Sequence, residues 1–352
     1  MNKAKKTRQV KVANLTLGGD NPIRVQSMCN TKTKDVKSTV SQILKLEKEG
    51  CEIIRVAVPD MDSAKAISAI KKQINIPLVA DIHFDYLLAL ESIKQGIDKV
   101  RINPGNIGSE DKVKAVVQAC QDKNVPIRVG VNVGSLEKEY LKKYGPTPKA
   151  AVESILKHVR ILERLNFYNT LLSIKFSDVH QMVEAYRLLA EKVDYPLHLG
   201  VTHAGTALMG TVKNSIGIGT LLQEGIGATL RVSLTAPLNQ EVKVAWAILK
   251  TLNLRQRGPE LISCPTCGRT EIDLSSLATK VENALQGIKD PIKVAVMGCV
   301  VNGPGEASEA DIGVAGGKNC GAIFVKGKVI KTVPEDQILS TLLAEIKKIT
   351  HQ

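Results

Sequence analysis

The stretch KVRIN at 99–103, the segment DKVKAVVQACQDK at 111–123 and the stretch IRVGVN at 127–132 contain the repeating unit of this chain. In both short runs apolar and polar residues alternate: Val100 and Ile102 against Arg101 and Asn103, Val129 and Val131 against Arg128 and Asn132. Successive side chains of a strand point to opposite faces, so each run has one apolar face and one face of arginine and asparagine. The segment between them has helical periodicity. Strand, helix, strand is the unit of a parallel sheet.

Working outward, the same pattern recurs. Further strand candidates are IRVQSM (23–28), EIIRVAV (52–58), PLVADI (77–82), LLSIKF (171–176), LHLGVT (197–202) and TLRVSL (229–234). Helical segments such as KSTVSQILKLEKEG follow them, and glycines 50, 96 and 225 sit where such helices close. Eight β/α units in about 250 residues suit a closed (β/α)8 TIM barrel. An open doubly wound sheet is the alternative, but no GxGxxG turn follows the first strand.

After about residue 255 the pattern changes. KVAVMGCVV (293–301) reads as a strand running into a glycine loop. GAIFVKGKVIKTV (321–333) reads as a hairpin turning at Gly327-Lys328, and EDQILSTLLAEIKKI (335–349) as a closing amphipathic helix. The expected class is α/β, a TIM barrel over residues 1–256 followed by a small α+β domain over 257–352, with RQRGPE (255–260) as linker.

Hydrophobic residues make up 43% of the 352, enough for a core, but aromatics only 3%, so that core is aliphatic. The net charge of +13 admits nucleic acid, an anionic small molecule or an acidic protein as partner. Basic residues are dispersed, apart from the start MNKAKKTRQVKV, and stacking aromatics are scarce, so no nucleic-acid partner is expected. No apolar leader and no 18-residue apolar run appear, so no membrane partner is expected. An odd count of seven cysteines fits a reducing, cytoplasmic location, where CxxC means metal or redox chemistry.

Barrel active sites lie at the C-terminal strand ends. Polar residues fall there at nearly every strand: Gln26 and Ser27, Arg55, Asp81 and His83, Arg101 and Asn103, Arg128 and Asn132, Lys175, Thr202 and His203, Arg231 and Ser233. One arginine at a strand end is ordinarily a solvated or paired residue. Four arginines and a lysine in one mouth repel one another unless an anion joins them, and the guanidinium fork matches phosphate. The mouth therefore reads as a site for a compact phosphate or diphosphate ester. The glycines of NSIGIGTLLQEGIGATLRVS fit a phosphate-cradling loop. Lys175 also fits a Schiff-base lysine. A lone His83 or His198 ordinarily reads as a packed or hydrogen-bonded residue rather than a ligand.

ISCPTCGRT (262–270) carries Cys264 and Cys267 at ligand spacing, and MGCVVNGPGEA (297–307) carries Cys299. Spacing alone leaves zinc and iron–sulfur open. The loop NGPGE lets backbone approach a bulky group and offers amides to sulfide, which favours a cluster. Glu306 is placed to add an oxygen ligand. Cys320 stands outside any second CxxC, and Cys29, Cys51 and Cys120 read as buried.

CPTCGRT and GCVVNGPGEA resemble the cluster motifs of the bacterial 4-hydroxy-3-methylbut-2-en-1-yl diphosphate synthases. The resemblance extends through VQSMCNTKTKD, VRINPGNIG, IRVGVNVGSLE, PLHLGVTHAG and SIGIGTLLQEGIGATLRVSLT. It implies a TIM barrel with a reductase-like α+β domain and a [4Fe-4S] cluster on Cys264, Cys267, Cys299 and Glu306. It implies reductive ring opening and dehydration of 2-C-methyl-D-erythritol 2,4-cyclodiphosphate, with electrons from flavodoxin or ferredoxin. It implies a head-to-tail homodimer in which one subunit's cluster caps the other's barrel. The family's substrate-binding positions fall on Arg55, Asp81, Arg101, Asn103, Arg128, Asn132, Lys175, Arg231 and Ser233.

One departure stands out. The family commonly has glutamate in GVTEAG as a candidate acid/base, where this chain reads GVTHAG with His203. Histidine also transfers protons near neutral pH. Pairing with the diphosphate and weakened activity are the other two readings of His203. Two further functional readings compete with the resemblance: a non-redox barrel like the pterin-binding synthases with a zinc tail, and a basic nucleic-acid-binding module with a zinc ribbon.

Overall fold

The computed structural model describes residues 5–103, 106–300, 307 and 309–350. It divides into two compact units, Met1–Arg255 and Gln256–Gln352.

The first unit opens with an antiparallel hairpin, β1 (Val10–Val12) and β2 (Leu15–Leu17). There follow β3 (Arg24–Met28), α1 (Val36–Glu49), β4 (Ile53–Ala57), α2 (Met61–Lys71), β5 (Leu78–Asp81), α3 (Tyr86–Lys94), β6 (Lys99–Ile102) and α4 (Glu110–Lys123). Next come β7 (Ile127–Asn132), α5 (Lys138–Tyr144), α6 (Pro148–Arg164), β8 (Thr170–Lys175), α7 (Val179–Lys192), β9 (His198–Leu199), α8 (Ala207–Gln223), β10 (Thr229–Leu230) and α9 (Leu238–Thr251). Strands β3 to β10 form one eight-stranded sheet in the order β8-β7-β6-β5-β4-β3-β10-β9. Its pairings are parallel, and the bridge Leu172↔Leu197 joins its two ends. The expected TIM barrel is the observed fold.

Strand alternation sorts the barrel residues. Ile54, Val56, Val100, Ile102, Val129, Val131 and Ile174 face outward into the main aliphatic core beneath the helices. Their neighbours therefore face the lumen. At the N-terminal end of the strands, Ile53, Val79 and Leu171 pack against Val10, Val12 and Leu17 of the hairpin, which plugs the barrel. Burying each such side chain contributes about 1.5–3 kcal/mol. The plug was not anticipated, because strands of three residues carry too little periodicity. Asp35, Asp60 and Asp178 cap α1, α2 and α7 by accepting from the amides of Ser38, Ser63 and Gln181, which fixes where each loop ends.

Strands β9 and β10 are shorter than the runs 197–202 and 229–234 suggested. A Cβ at Gly200 would lie 2.8 Å from the Arg231 carbonyl, so the backbones converge there and leave the regular ladder. The expected linker also differs. Arg255 donates to Glu52 at 2.6 Å and to the Ile23 carbonyl at 2.7 Å, which ties it to the barrel, and Glu260 already begins a strand.

The second unit is a five-stranded sheet of β11 (Glu260–Ser263), β12 (Lys293–Met297), β13 (Ile312–Gly317), β14 (Cys320–Val325) and β15 (Lys328–Pro334), in that order. The first three strands run parallel and the last two antiparallel. Helices α10 (Leu274–Ala284) and α11 (Ile338–Thr350) contribute Leu274, Val281, Ile338, Leu342 and Ile346 to its core. The hairpin turns at Lys326-Gly327, one residue before the expected position. Both residues have positive φ, 47° and 74°, as a two-residue hairpin turn of this hand requires. Among the described residues no helix is long and apolar enough to cross a membrane.

Regular pairing is thinnest at the β8–β9 seam, which Tyr186 of α7 staples. Its buried hydroxyl donates to the His198 carbonyl and accepts from the Ile174 amide at 3.1 Å. Tyr186→Phe leaves a buried carbonyl and a buried amide without this partner. It should cost about 1–3 kcal/mol in urea unfolding, with little change in the ultraviolet circular dichroism of the folded protein.

Candidate active site

The lumen residues of β4 to β10 converge at the C-terminal strand ends. Asp81 on β5 lies at the centre of the ion pairs there. Its carboxylate accepts from Arg101 Nη1 at 3.2 Å, and Arg55 Nε and His83 Nε2 each stand 3.7 Å from its other oxygen. Arg101 also reaches the Gly130 carbonyl at 3.1 Å and His83 Nε2 at 3.2 Å. Arg55 directs Nε and Nη2 at the Met28 sulfur, 3.1 and 2.8 Å away. Arg231 lies 3.5 Å from Glu241 of α9, which is itself held by the Ser27 hydroxyl and the Leu234 amide.

Cations outnumber these carboxylates. Arg55, Arg101 and Arg128 are buried, and Lys175 shares their lumen face, half-buried by surface exposure. Nε, Nη1 and Nη2 of Arg128 are all buried with no hydrogen-bond partner. Burial pushes the Lys175 ammonium well below its ordinary range, and Arg55, Arg128, Arg231 and Arg101 push it further. Arg55 is lowered to about 10, chiefly by burial, with Asp81 opposing. Burial alone would raise the Asp81 carboxyl. Arg55, the His83 hydrogen bond and Arg101 overcome that and hold it far below the usual carboxylate range. Such a mouth is electrostatically incomplete until an anion enters it.

A cavity of about 130 Å³ opens beside these groups, lined by His83, Phe84, Arg101, Asn103, Gly130 and Asn132 among others. Glycine is required at position 130, because a Cβ would stand 2.8 Å from Arg101 Nε and 3.0 Å from Ser173 Oγ. Ser233 is half-buried, and its carbonyl accepts from Asn214 at 3.2 Å. His203 sits exposed in the loop after β9, with a left-handed φ of 51°. A larger cavity of about 350 Å³ opens at the opposite, N-terminal end of the strands, among Lys5, Gly18, Ile23, Leu197 and Gly227. It lacks the arginine set of the mouth.

Two departures from the sequence reading concern this unit. Gly217 and Gly219 lie inside α8, and Gly225 and Gly227 turn at the N-terminal strand ends, so this segment is no phosphate-cradling loop. Gly217 instead lets α8 pack on Val201, Met182 and Val179. Met28 and Lys99 join the lumen, and Glu241 of α9 stands behind Arg231, although none was singled out. The alternation in KVRIN that flags Arg101 flags Lys99 equally. His83, read as a packed or hydrogen-bonded residue, is hydrogen-bonded: its Nε2 lies 3.2 Å from Arg101 Nη1, at the half-exposed rim of the cavity. Cys29, Cys51 and Cys120 are buried as expected, and burial pushes the first two thiols up to about 12.

In the second unit, Cys264 directly follows β11 and its sulfur accepts from the Gly298 amide at 3.2 Å. The parallel register sets Ser263 against Val296, so Cys264 and Cys267 leave the sheet at the same end as Cys299. Cys320 begins β14 at that end too, opposite Gly317. A turn with reciprocal Cys267–Thr270 hydrogen bonds of 3.1 and 3.0 Å holds the CxxC loop. Hydrogen bonding from Arg269, first through its backbone, lowers the exposed Cys267 thiol. A Cβ at Gly298 would lie 3.0 Å from Thr270 Cγ2 and 3.1 Å from Leu274 Cδ2, so the chain passes close to both side chains there. Thiols leaving one sheet end, one already accepting from an amide, fit a thiolate-bound cluster in kind. Among the described residues no three or more His, Cys, Asp or Glu side chains stand close enough together to hold a metal ion. Glu306, the fourth expected ligand, lies outside the described residues.

Comparison with known proteins agrees with this geometry. The model of the GcpE TIM-barrel domain matches residues 7–246, and that of the GcpE protein C-terminal domain matches residues 260–348. The chain is 60% identical over 349 residues to the 4-hydroxy-3-methylbut-2-en-1-yl diphosphate synthase (flavodoxin) of Caldanaerobacter subterraneus, covering 99% of this chain and 98% of that protein. It is 60% identical over 346 residues to the protein of the same name from Clostridium perfringens, covering 98% and 99%. Among solved structures, dihydropteroate synthase from Stenotrophomonas maltophilia superposes with a TM-score of 0.52 at 14% identity, covering 70% of this chain and 98% of that one. That likeness shows the barrel fold alone. The chain belongs to the GcpE family.

Proposed function

We propose that this protein catalyses the conversion of 2-C-methyl-D-erythritol 2,4-cyclodiphosphate to 4-hydroxy-3-methylbut-2-enyl diphosphate in isoprenoid biosynthesis. It is an iron–sulfur oxidoreductase. The observation that carries the proposal is the barrel mouth, where buried guanidinium groups outnumber carboxylates and Arg128 has none of its nitrogens paired. In the reaction two electrons and two protons enter, a ring C–O bond opens, and one oxygen leaves as water.

Arg101, Arg128, Lys175 and Arg231 hold the diphosphate, and Arg55 joins them from β4. Asp81 keeps Arg55 and Arg101 in place, since a carboxylate so strongly paired stays ionised through the neutral range. Asn103, Asn132 and Ser233 orient the sugar-derived carbons. His203 is the proposed proton donor, in the position where relatives commonly carry glutamate. A [4Fe-4S] cluster on Cys264, Cys267, Cys299 and Glu306 supplies electrons one at a time when bound.

The donor is flavodoxin, with ferredoxin as the alternative. The net charge of +13 suits an acidic protein of that kind. The protein acts in the cytoplasm, as a head-to-tail homodimer. A second copy is supported by the exposed apolar side chains Leu208, Met209, Val212 and Ile216 along α8.

Anaerobic purification with iron, sulfide and zinc assays, then turnover of the cyclodiphosphate with a one-electron reductant, tests the whole. Cys267→Ala should lose most of its iron and sulfide together with turnover; a variant that kept both would remove that residue from the cluster. Arg128→Ala should keep wild-type iron content while KM rises by roughly 10–100-fold, as for loss of a charged contact of ~1.5–3 kcal/mol. An unchanged KM would place the substrate elsewhere. His203→Ala should lower kcat by about 10²–10⁴ with little change in KM, and His203→Glu should recover most of it. Equal activity in all three forms would deny His203 a proton-transfer role.

A further inference from the structure

The mouth accounts for the cations near its rim but not for Lys99. Lys99 opens β6, with Val79 of β5 opposite it. Val100 and Ile102 face the outer core, so Lys99 and Arg101 both face the lumen. The register sets Arg101 against Arg128, which places Lys99 one inward step below that pair, on the neighbouring strand to Arg128. Its exposure is 0%, and its Nζ has no hydrogen-bond partner. A lysine so placed is unusual, because a buried charge without a partner costs several kcal/mol.

The lumen contains the following ionisable side chains. Arg55 projects from β4, Asp81 from β5, Arg101 from β6 itself, Arg128 from β7, Lys175 from β8, His198 from β9 and Arg231 from β10. Glu241 of α9 and the Tyr186 hydroxyl of α7 stand behind them. Asp81 is committed to Arg55 and Arg101, and Glu241 stands beside Arg231. Burial lowers the Lys99 amine well below its ordinary range, and Arg128 and Arg55 lower it further. His198 is likewise held uncharged by burial and the same cations. An anion above Arg128 offsets the repulsion that Arg128 and Arg55 exert on a charged Lys99.

We propose that Lys99 is a positioning residue acting through Arg128: uncharged while the mouth is empty, it takes a proton from solvent when a diphosphate settles above. The new ammonium then presses the Arg128 guanidinium toward the anion. This rests on the mouth being the diphosphate site. Substrate binding is thereby coupled to proton uptake, and the anion is held more tightly as pH falls from the alkaline side. The sign for the fold is the opposite. With its folded-state value lowered, Lys99 binds fewer protons folded than unfolded, so its cost to stability is present at neutral pH and fades as pH rises toward 10.5.

The test is isothermal titration calorimetry of the whole, cluster-loaded, oxidised protein with the cyclodiphosphate. Titrations are run between about pH 7 and 8.5 in buffers of different ionisation enthalpy, and repeated with inorganic pyrophosphate. The wild type should take up protons on binding. Lys99→Met should take up about one fewer, lose roughly one unit of slope in log Kd against pH, and melt at a higher temperature than wild type. Lys175→Met, at the rim, should still show the part of the uptake that depends on Lys99. No proton uptake by the wild type overturns the inference without any variant. Uptake unchanged in Lys99→Met also overturns it and leaves Lys99 a space-filling residue. Lys99-dependent uptake with pyrophosphate but no binding of the cyclodiphosphate would keep the inference and sink the assigned substrate. Failure of both ligands to bind would sink both.

Discussion

The pairing of Asp81 with Arg55 and Arg101 is the constraint on which the barrel mouth depends. Two guanidinium groups from different strands share one buried carboxylate, and Arg101 goes on to reach Gly130 on a third. Without that carboxylate, Arg55, Arg101 and Arg128 would crowd a dry lumen with nothing to offset their repulsion. With it, the cations stay ordered, yet the charge remains unbalanced. Under the proposed function an anionic substrate relieves that residual imbalance, so one arrangement would serve both the folded state and binding.

The rest of the first unit supports this arrangement. The hairpin plug closes the N-terminal end of the lumen with aliphatic side chains, which keeps water from the buried cations on that side. Gly130 leaves room for the Arg101 side chain to lie over the neighbouring strand. Tyr186 holds the β8–β9 seam, beside the strand that delivers Lys175. The second unit solves a different problem. Its parallel strands end together, so residues far apart in sequence, Cys264, Cys267 and Cys299, leave the sheet at one end, and Gly298 lends its amide to a sulfur.

Much of this was legible in the sequence. Alternation along eight short runs was enough for the barrel, because a period of two assigns one face to the helices and the other to the lumen. The same alternation pointed to Arg55, Asp81, Arg101, Arg128, Lys175 and Arg231 before any coordinates. Looking only at the C-terminal strand ends passed over Lys99 and Glu241, because one lies low in its strand, although the alternation flags it, and the other lies on a helix. The glycines of 214–233 misled because glycine marks a turn, a ligand cradle and a close helix contact alike, and composition does not separate these uses.

The sequence by itself determined the fold class, the family and which residue types were gathered for the chemistry, since periodicity and motif spacing are properties of the chain. Only the tertiary structure decided who pairs with whom: that Asp81 takes Arg55 and Arg101, that Glu241 stands beside Arg231, and that Arg128 and Lys99 are left without partners. Pairing depends on register, side-chain reach and burial, and these exist only once the strands have closed on one another. A charge that is ordinary in an open chain becomes costly, and useful, when closure removes the water around it.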